Sequence, residues 1–96
     1  MHTTLRPSVI LLHSSGSSAK QWQALSEALT PQYCVHAVDF HDHGNQREWS
    51  SDATLTLADE AALVTPLLPP EGAHVIGHSY GGAVALKVAA MHPQQV

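Results

Sequence analysis

The sequence predicts an α/β fold, with a parallel sheet lying between helices in three layers. Three observations carry this. Short apolar runs alternate with stretches of helical spacing, in the order strand, helix, strand, helix, strand, helix. The runs are continuously apolar rather than alternating, which suits strands buried on both faces, as parallel sheets require. The Gly, Ser and His clusters fall just after those runs, at the carboxyl ends where α/β sheets place their active groups.

Ser8–Leu12 is apolar and rich in β-branched residues, and it ends at a polar cluster, so it reads as the first strand. Trp22, Leu25 and Leu29 recur at helical spacing and predict a helix over residues 19–29, stopped at Thr30-Pro31-Gln32. Residues 33–38 form the second strand, expected to bury Cys34, Val35, Ala37 and Val38. Residues 39–53 are polar and aperiodic and read as a loop. Thr56 is placed to cap a second helix, with Asp59 three residues on. Leu57, Ala61, Val64 and Leu68 mark its apolar face. Pro66 should kink that helix or end it early, since proline lacks the N–H and clashes with the preceding turn. After Pro69-Pro70-Glu71-Gly72, Ala73–Gly77 is the third strand. A third helix starts at Gly81 or Gly82 and runs to Met91, closed by His92-Pro93. The connections default to right-handed crossovers.

Composition narrows the function classes. The chain has 96 residues, of which 44% are hydrophobic and 12% charged, against a usual charged fraction of about 25%. That excludes a disordered or coiled-coil chain, and the length fits one domain over residues 1–96. Net charge is −4, and Arg6, Lys20, Arg47 and Lys87 are scattered, so nucleic acid is not an expected partner. The apolar run Val9-Ile10-Leu11-Leu12 is too short for a signal peptide or a bilayer span. Cys34 is the only cysteine, so no intramolecular disulfide forms. A cytoplasmic protein with no membrane partner is expected. Nothing in the sequence specifies an oligomeric state.

The chemistry concentrates at Gly77-His78-Ser79-Tyr80-Gly81, which fits G-x-S-x-G between a strand and a helix of small residues. Such a turn must be sharp and strained so that the serine Oγ projects clear of the sheet. Side chains at 77 or 81 would strike the backbone across the turn. Gly82, Ala83 and Ala85 suit close packing of the helix on the sheet. The helix also aims its first N–H groups at the place where a tetrahedral oxyanion would form. Neither G-x-G-x-x-G nor the P-loop pattern is present, which argues against a nucleotide site.

Together with two earlier motifs, this turn resembles the N-terminal half of the α/β-hydrolase family. Leu11-Leu12-His13-Ser14-Ser15-Gly16 followed by Trp22 is similar to the family's oxyanion loop. Asp39-Phe40-His41-Asp42-His43-Gly44 resembles its next loop, and residues 77–81 its nucleophile elbow. The resemblance runs from about Ser8 to Val96. Ser14 stands where glycine is usual, and Asp42 replaces the first glycine of the second motif. The family's opening antiparallel strands have no counterpart.

The resemblance implies acyl transfer. Ser79 would be the nucleophile, and the backbone N–H groups of Tyr80 and Ser15 would form the oxyanion hole, with Ser14 as the alternative to Ser15. It implies a structural role for His13. His13, Ser14 and His78 are candidate substrate contacts. No cofactor or metal is called for, and the partner is a small-molecule substrate carrying an ester, thioester, amide or cleavable C–C bond. The family's triad runs Ser, acid, His along the chain, so the acid and the His base are expected beyond Val96, in a missing C-terminal half. About 200–250 residues suit a complete domain of this kind, and the low charge content fits a partial sheet. The competing readings are a non-catalytic fragment of the fold and a small ligand-binding domain. His41, Asp42 and His43 would make a weak metal cluster, because a structural zinc wants four ligands. Tyr80 and Trp49 could line a pocket or simply pack, and Cys34 reads as an inert core thiol.

Overall fold

A computed structural model describes residues 6–41 and 54–96. Three strands form one parallel sheet: β1 (Ser8–Leu12), β2 (Cys34–Val38) and β3 (Ala73–Gly77), in the order β2-β1-β3. The helices are α1 (Gln23–Leu29), α2 (Leu57–Val64) and α3 (Tyr80–Met91). The first strand is therefore central, and its two neighbours run parallel to it, one on each side. In register, Leu12 pairs with both Val38 and Gly77. All three strands thus end at one level, and the loops that follow them start side by side.

Alternation along β1 divides its side chains between two faces. Ile10 and Leu12 join Val38, Phe40, Ala61, Val64, Leu68, Val84 and Val88 in the core under α2 and α3. Val9 and Leu11 point the other way and are buried too. The predicted burial on both faces holds for β1 only. Of β2, only Val38 is buried and Ala37 is exposed, while Ile76 on β3 is 40% exposed. The reason is position: both are edge strands among the described residues, with a neighbour on one side only.

The helices follow local chemistry closely. Thr56 and Asp59 form the predicted capping box, with Asp59 N–H on Thr56 Oγ1 (3.2 Å) and Thr56 N–H on Asp59 Oδ2 (2.8 Å). α2 ends at Val64, and Pro66 is taken up in a 3-10 turn, Thr65–Leu67, where its missing donor is tolerated.

Three boundaries differ from the sequence expectation. The first helix is split into a 3-10 turn, Ala19–Trp22, and α1. The tight turn is held by Ser18 Oγ on Lys20 N–H (3.2 Å) and by Asp39 Oδ1 on Ala19 N–H (2.7 Å). Strand β2 starts at Cys34 because Tyr33 N–H still bonds to Leu29 O (2.9 Å), closing the helix. Helix α3 starts at Tyr80, with the Ser79 carbonyl accepting from the Gly82 and Ala83 N–H groups. Among the described residues, no helix is long and apolar enough to cross a membrane.

Candidate active site

Ser79 sits between the end of β3 and the first residue of α3, with φ 57° and ψ −112°. Among the described residues it is the only non-glycine with positive φ. A serine in that region costs on the order of 1–3 kcal/mol and persists only where its surroundings enforce it. A serine at a helix N-cap normally turns its Oγ back onto the first turn's N–H groups. Ser79 makes no such side-chain bond, and it is exposed. Its hydroxyl is therefore held out from the helix end and open to an incoming molecule.

The flanking glycines enforce this turn. A Cβ on Gly77 would fall inside 3.0 Å of Gly81 O and C and Gly82 N, and one on Gly81 inside 3.0 Å of Leu12 O and C and His13 O. The first turn of α3 thus rests directly on the backbone at the end of β1. Gly82 is different: a Cβ there would meet only Gly77, at 3.7 Å from its carbonyl oxygen. The expectation that Gly82 is needed for close packing is not supported by this geometry.

The loop after β1 faces the elbow. Ser17 N–H bonds to Ser14 O (3.1 Å), closing a turn over residues 14–17 with Gly16 at φ 78° in its third position. Ser14 does not adopt positive φ, so replacing the family's usual glycine there requires no strained backbone. The Ser14 N–H donates to Gln21 Oε1 (3.0 Å), which removes Ser14 as the alternative donor to an oxyanion. Neither the Ser15 N–H nor the Tyr80 N–H has an acceptor among the described residues. A 12-residue helix dipole adds positive potential at Tyr80.

His13 is fully buried. Phe40 N–H can only donate, so His13 Nε2 (3.1 Å) must accept. The ring proton is then on Nδ1, which donates to Ser14 O (2.7 Å). The peptide plane between Ser14 and Ser15 is rigid. Fixing its carbonyl therefore fixes the direction of the Ser15 N–H. The reading of His13 as a substrate contact is corrected on this ground: a buried ring with both nitrogens engaged does not face a substrate. His78 is exposed, and its Nδ1 lies 2.7 Å from Gln21 Nε2.

Glu60 and Gln21 are site residues the sequence reasoning missed. Glu60 is 1% exposed, and its two oxygens accept from Tyr80 OH (2.8 Å) and His41 N–H (3.0 Å). The Phe40 ring lies between His13 and Tyr80, with centroids 4.6 and 5.4 Å away. Glu60 had a signal: it sits three residues after Leu57 and four before Val64, inside an apolar stripe, where a carboxylate must have donors. Gln21 had none, since only the tertiary turn brings it to the site.

Burial pushes the Tyr80 phenol up from 10.0 to about 12, with the Glu60 hydrogen bond and the Glu60 charge adding in the same direction. The folded state thus favours the neutral phenol. The stabilisation is complete below pH 10 and is lost as pH rises through about 12. In Tyr80→Phe this alkaline loss should disappear, together with the late phenolate absorbance step. The same variant leaves one oxygen of buried Glu60 without a donor and should cost about 1–3 kcal/mol at neutral pH, measured by urea unfolding.

Other candidates do not converge here. His36 pairs with Cys34 at 3.6 Å along β2, and His92 Nε2 lies 2.9 Å from Thr65 Oγ1. Asp42, His43 and Trp49 lie outside the described residues. No group of three His, Cys, Asp or Glu that could hold a metal occurs among the described residues. A cavity of about 750 Å³ lined by Arg6, Ser8, Glu71 and His74 opens at the other end of the strands, away from Ser79.

Comparison with known proteins agrees with this fold. A family described as "Alpha/beta hydrolase family" matches residues 9–95. The pimeloyl-(acyl-carrier protein) methyl ester esterase of Aeromonas salmonicida is 33% identical over 92 residues, which is 94% of this chain and 35% of that protein. The enzyme of the same name from Serratia marcescens is 36% identical over 88 residues, 92% of this chain and 32% of that protein. Among solved structures, an alpha/beta hydrolase enzyme from a Medee basin deep-sea metagenome library superposes with a TM-score of 0.81 at 25% identity, covering 98% of this chain and 36% of that one. The chain spans about a third of the length of these relatives.

Proposed function

The chain belongs to the alpha/beta hydrolase family, and from that premise we propose that it carries the nucleophile and the oxyanion hole of a serine esterase acting on a small carboxylic ester. The observation that carries the proposal is Ser79: a strained, exposed serine at a helix N-cap whose hydroxyl is not used as a cap. The names of the two similar esterases favour an oxygen ester over the thioester, amide or C–C bond that a serine at this position could equally attack.

In this mechanism Ser79 Oγ attacks the ester carbonyl carbon and passes its proton to a general base. The carbonyl π pair moves onto oxygen, and the N–H groups of Tyr80 and Ser15 stabilise the oxyanion. One such donor is typically worth about 3–4 kcal/mol of barrier. The intermediate collapses, the C–O bond to the leaving alcohol breaks, and the base returns its proton to that alcohol. Water then repeats the sequence on the acyl-enzyme. The base and its acid partner are assigned outside these 96 residues, following the family's order along the chain. Buried His13, with both ring nitrogens engaged, supports this for the histidine that ends β1.

Fluorophosphonate labelling followed by peptide mapping tests the assignment. One adduct on Ser79 is expected, and a folded protein that takes none would sink it. Placing the base and acid outside these 96 residues carries a second reading, that the isolated 96 residues are non-catalytic alone. Ser79-dependent turnover of an activated ester by this chain by itself would count against that reading.

A further inference from the structure

The two oxyanion donors proposed above come from different loops, so something must hold their spacing. Gln21 spans them. Its Oε1 accepts from Ser14 N–H (3.0 Å) and Ser14 Oγ–H (3.1 Å), and its Nε2 lies 2.7 Å from His78 Nδ1. The directions are forced. A backbone N–H only donates, so the amide oxygen must face Ser14 and the NH₂ group must face His78. His78 Nδ1 then accepts, and the ring proton sits on Nε2. The side chain works from an anchored base: Gln21 N–H bonds to Ser18 O (3.0 Å), in the same 3-10 turn that Asp39 secures through Ala19 N–H (2.7 Å).

We infer that Gln21 is a positioning residue for the oxyanion hole, clamping the turn over residues 14–17 against the elbow so that the Ser15 and Tyr80 N–H groups face one oxygen. The inference rests on the serine-esterase reading and adds to it the element that sets the hole's width. His13 fixes the direction of the Ser15 N–H, as described above, and Gln21 fixes how far that N–H stands from the elbow. Ser14 and His78 each lie one residue before a proposed participant, Ser15 and Ser79, so a bond between them through Gln21 transmits position with little slack. Gln21 itself touches no reacting atom.

The test uses the enzyme carrying this chain together with its triad partners. Gln21→Met keeps the length of the side chain and removes all three polar contacts, two to Ser14 and one to His78. It should lower kcat on an activated ester by about 10–100-fold, as a small misplacement of a catalytic group does, with KM within about twofold. Affinity for a trifluoromethyl ketone, whose hemiketal oxygen occupies the hole, should fall by the same factor as kcat/KM. His78→Ala should act through the same bridge, so the double variant should lose no more than the worse single one. Gln21 is exposed, so the melting temperature should barely move. Unchanged kcat in Gln21→Met, with Ser79→Ala inactive, would overturn the inference and leave the esterase reading intact. Full turnover in Ser79→Ala would overturn both.

Discussion

Ser79→Gly should abolish ester turnover while raising stability. Loss of a serine nucleophile in a triad enzyme costs on the order of 10⁶-fold in kcat. Its backbone, at φ 57° and ψ −112°, lies where glycine pays no steric penalty. Relief of about 1–3 kcal/mol of strain, less roughly 0.5–1 kcal/mol for glycine's extra freedom when unfolded, leaves a gain of about 1 kcal/mol. Urea unfolding of Ser79→Gly beside Ser79→Ala separates the terms: both should be inactive, and only the glycine variant should be stabilised. A glycine variant no more stable than the alanine one would mean that the turn stores no strain.

The second large effect is on the fold. Gly81→Ala should destabilise the protein by about 3 kcal/mol or more, at the upper end of the usual cost of overpacking. The new Cβ would collide with the Leu12 and His13 carbonyl oxygens, and these are backbone atoms of the central strand's end. The only relief is to lift the first turn of α3, and this would carry the Tyr80 N–H away from the loop after β1. Activity should therefore fall even in the fraction that stays folded. Gly82→Ala is the control one residue on. Its Cβ would make ordinary contact, at 3.7 Å, and a Gly→Ala change within a helix should be neutral or stabilising by up to about 1 kcal/mol. Equal unfolding midpoints for the two alanine variants would contradict the close-approach explanation.

These two residues also show why the elbow was legible in the sequence. G-x-S-x-G between a strand and a helix carries its own steric logic, since each glycine answers to a backbone atom and the serine to the strain between them. The capping box at Thr56 and Asp59 and the helix stop before Pro66 were legible for the same reason: the cause lies within a few residues. What was not legible depends on contacts distant in sequence. The first helix splits because Asp39, twenty residues on, takes the Ala19 N–H. The exposure of Ala37 and Ile76 follows from the order of strands, which periodicity does not encode. His13 was read both as a structural residue and as a candidate substrate contact, and only the Phe40 N–H on its Nε2 shows the ring held in the core. Ser15 was already preferred to Ser14 as the oxyanion donor, and the Gln21 amide on the Ser14 N–H adds a reason that the sequence did not hold.

Alpha/beta hydrolase membership covers residues 9–95, and the site within it reduces to one claim: Ser79 becomes acylated during turnover. Rapid quenching of the enzyme with an ester whose acyl group is released slowly, followed by peptide mass spectrometry, tests that claim directly. The account predicts a stoichiometric acyl adduct on the peptide containing Ser79, formed and discharged at rates that match turnover. Steady hydrolysis with no adduct, or with the adduct on any other residue, would contradict it.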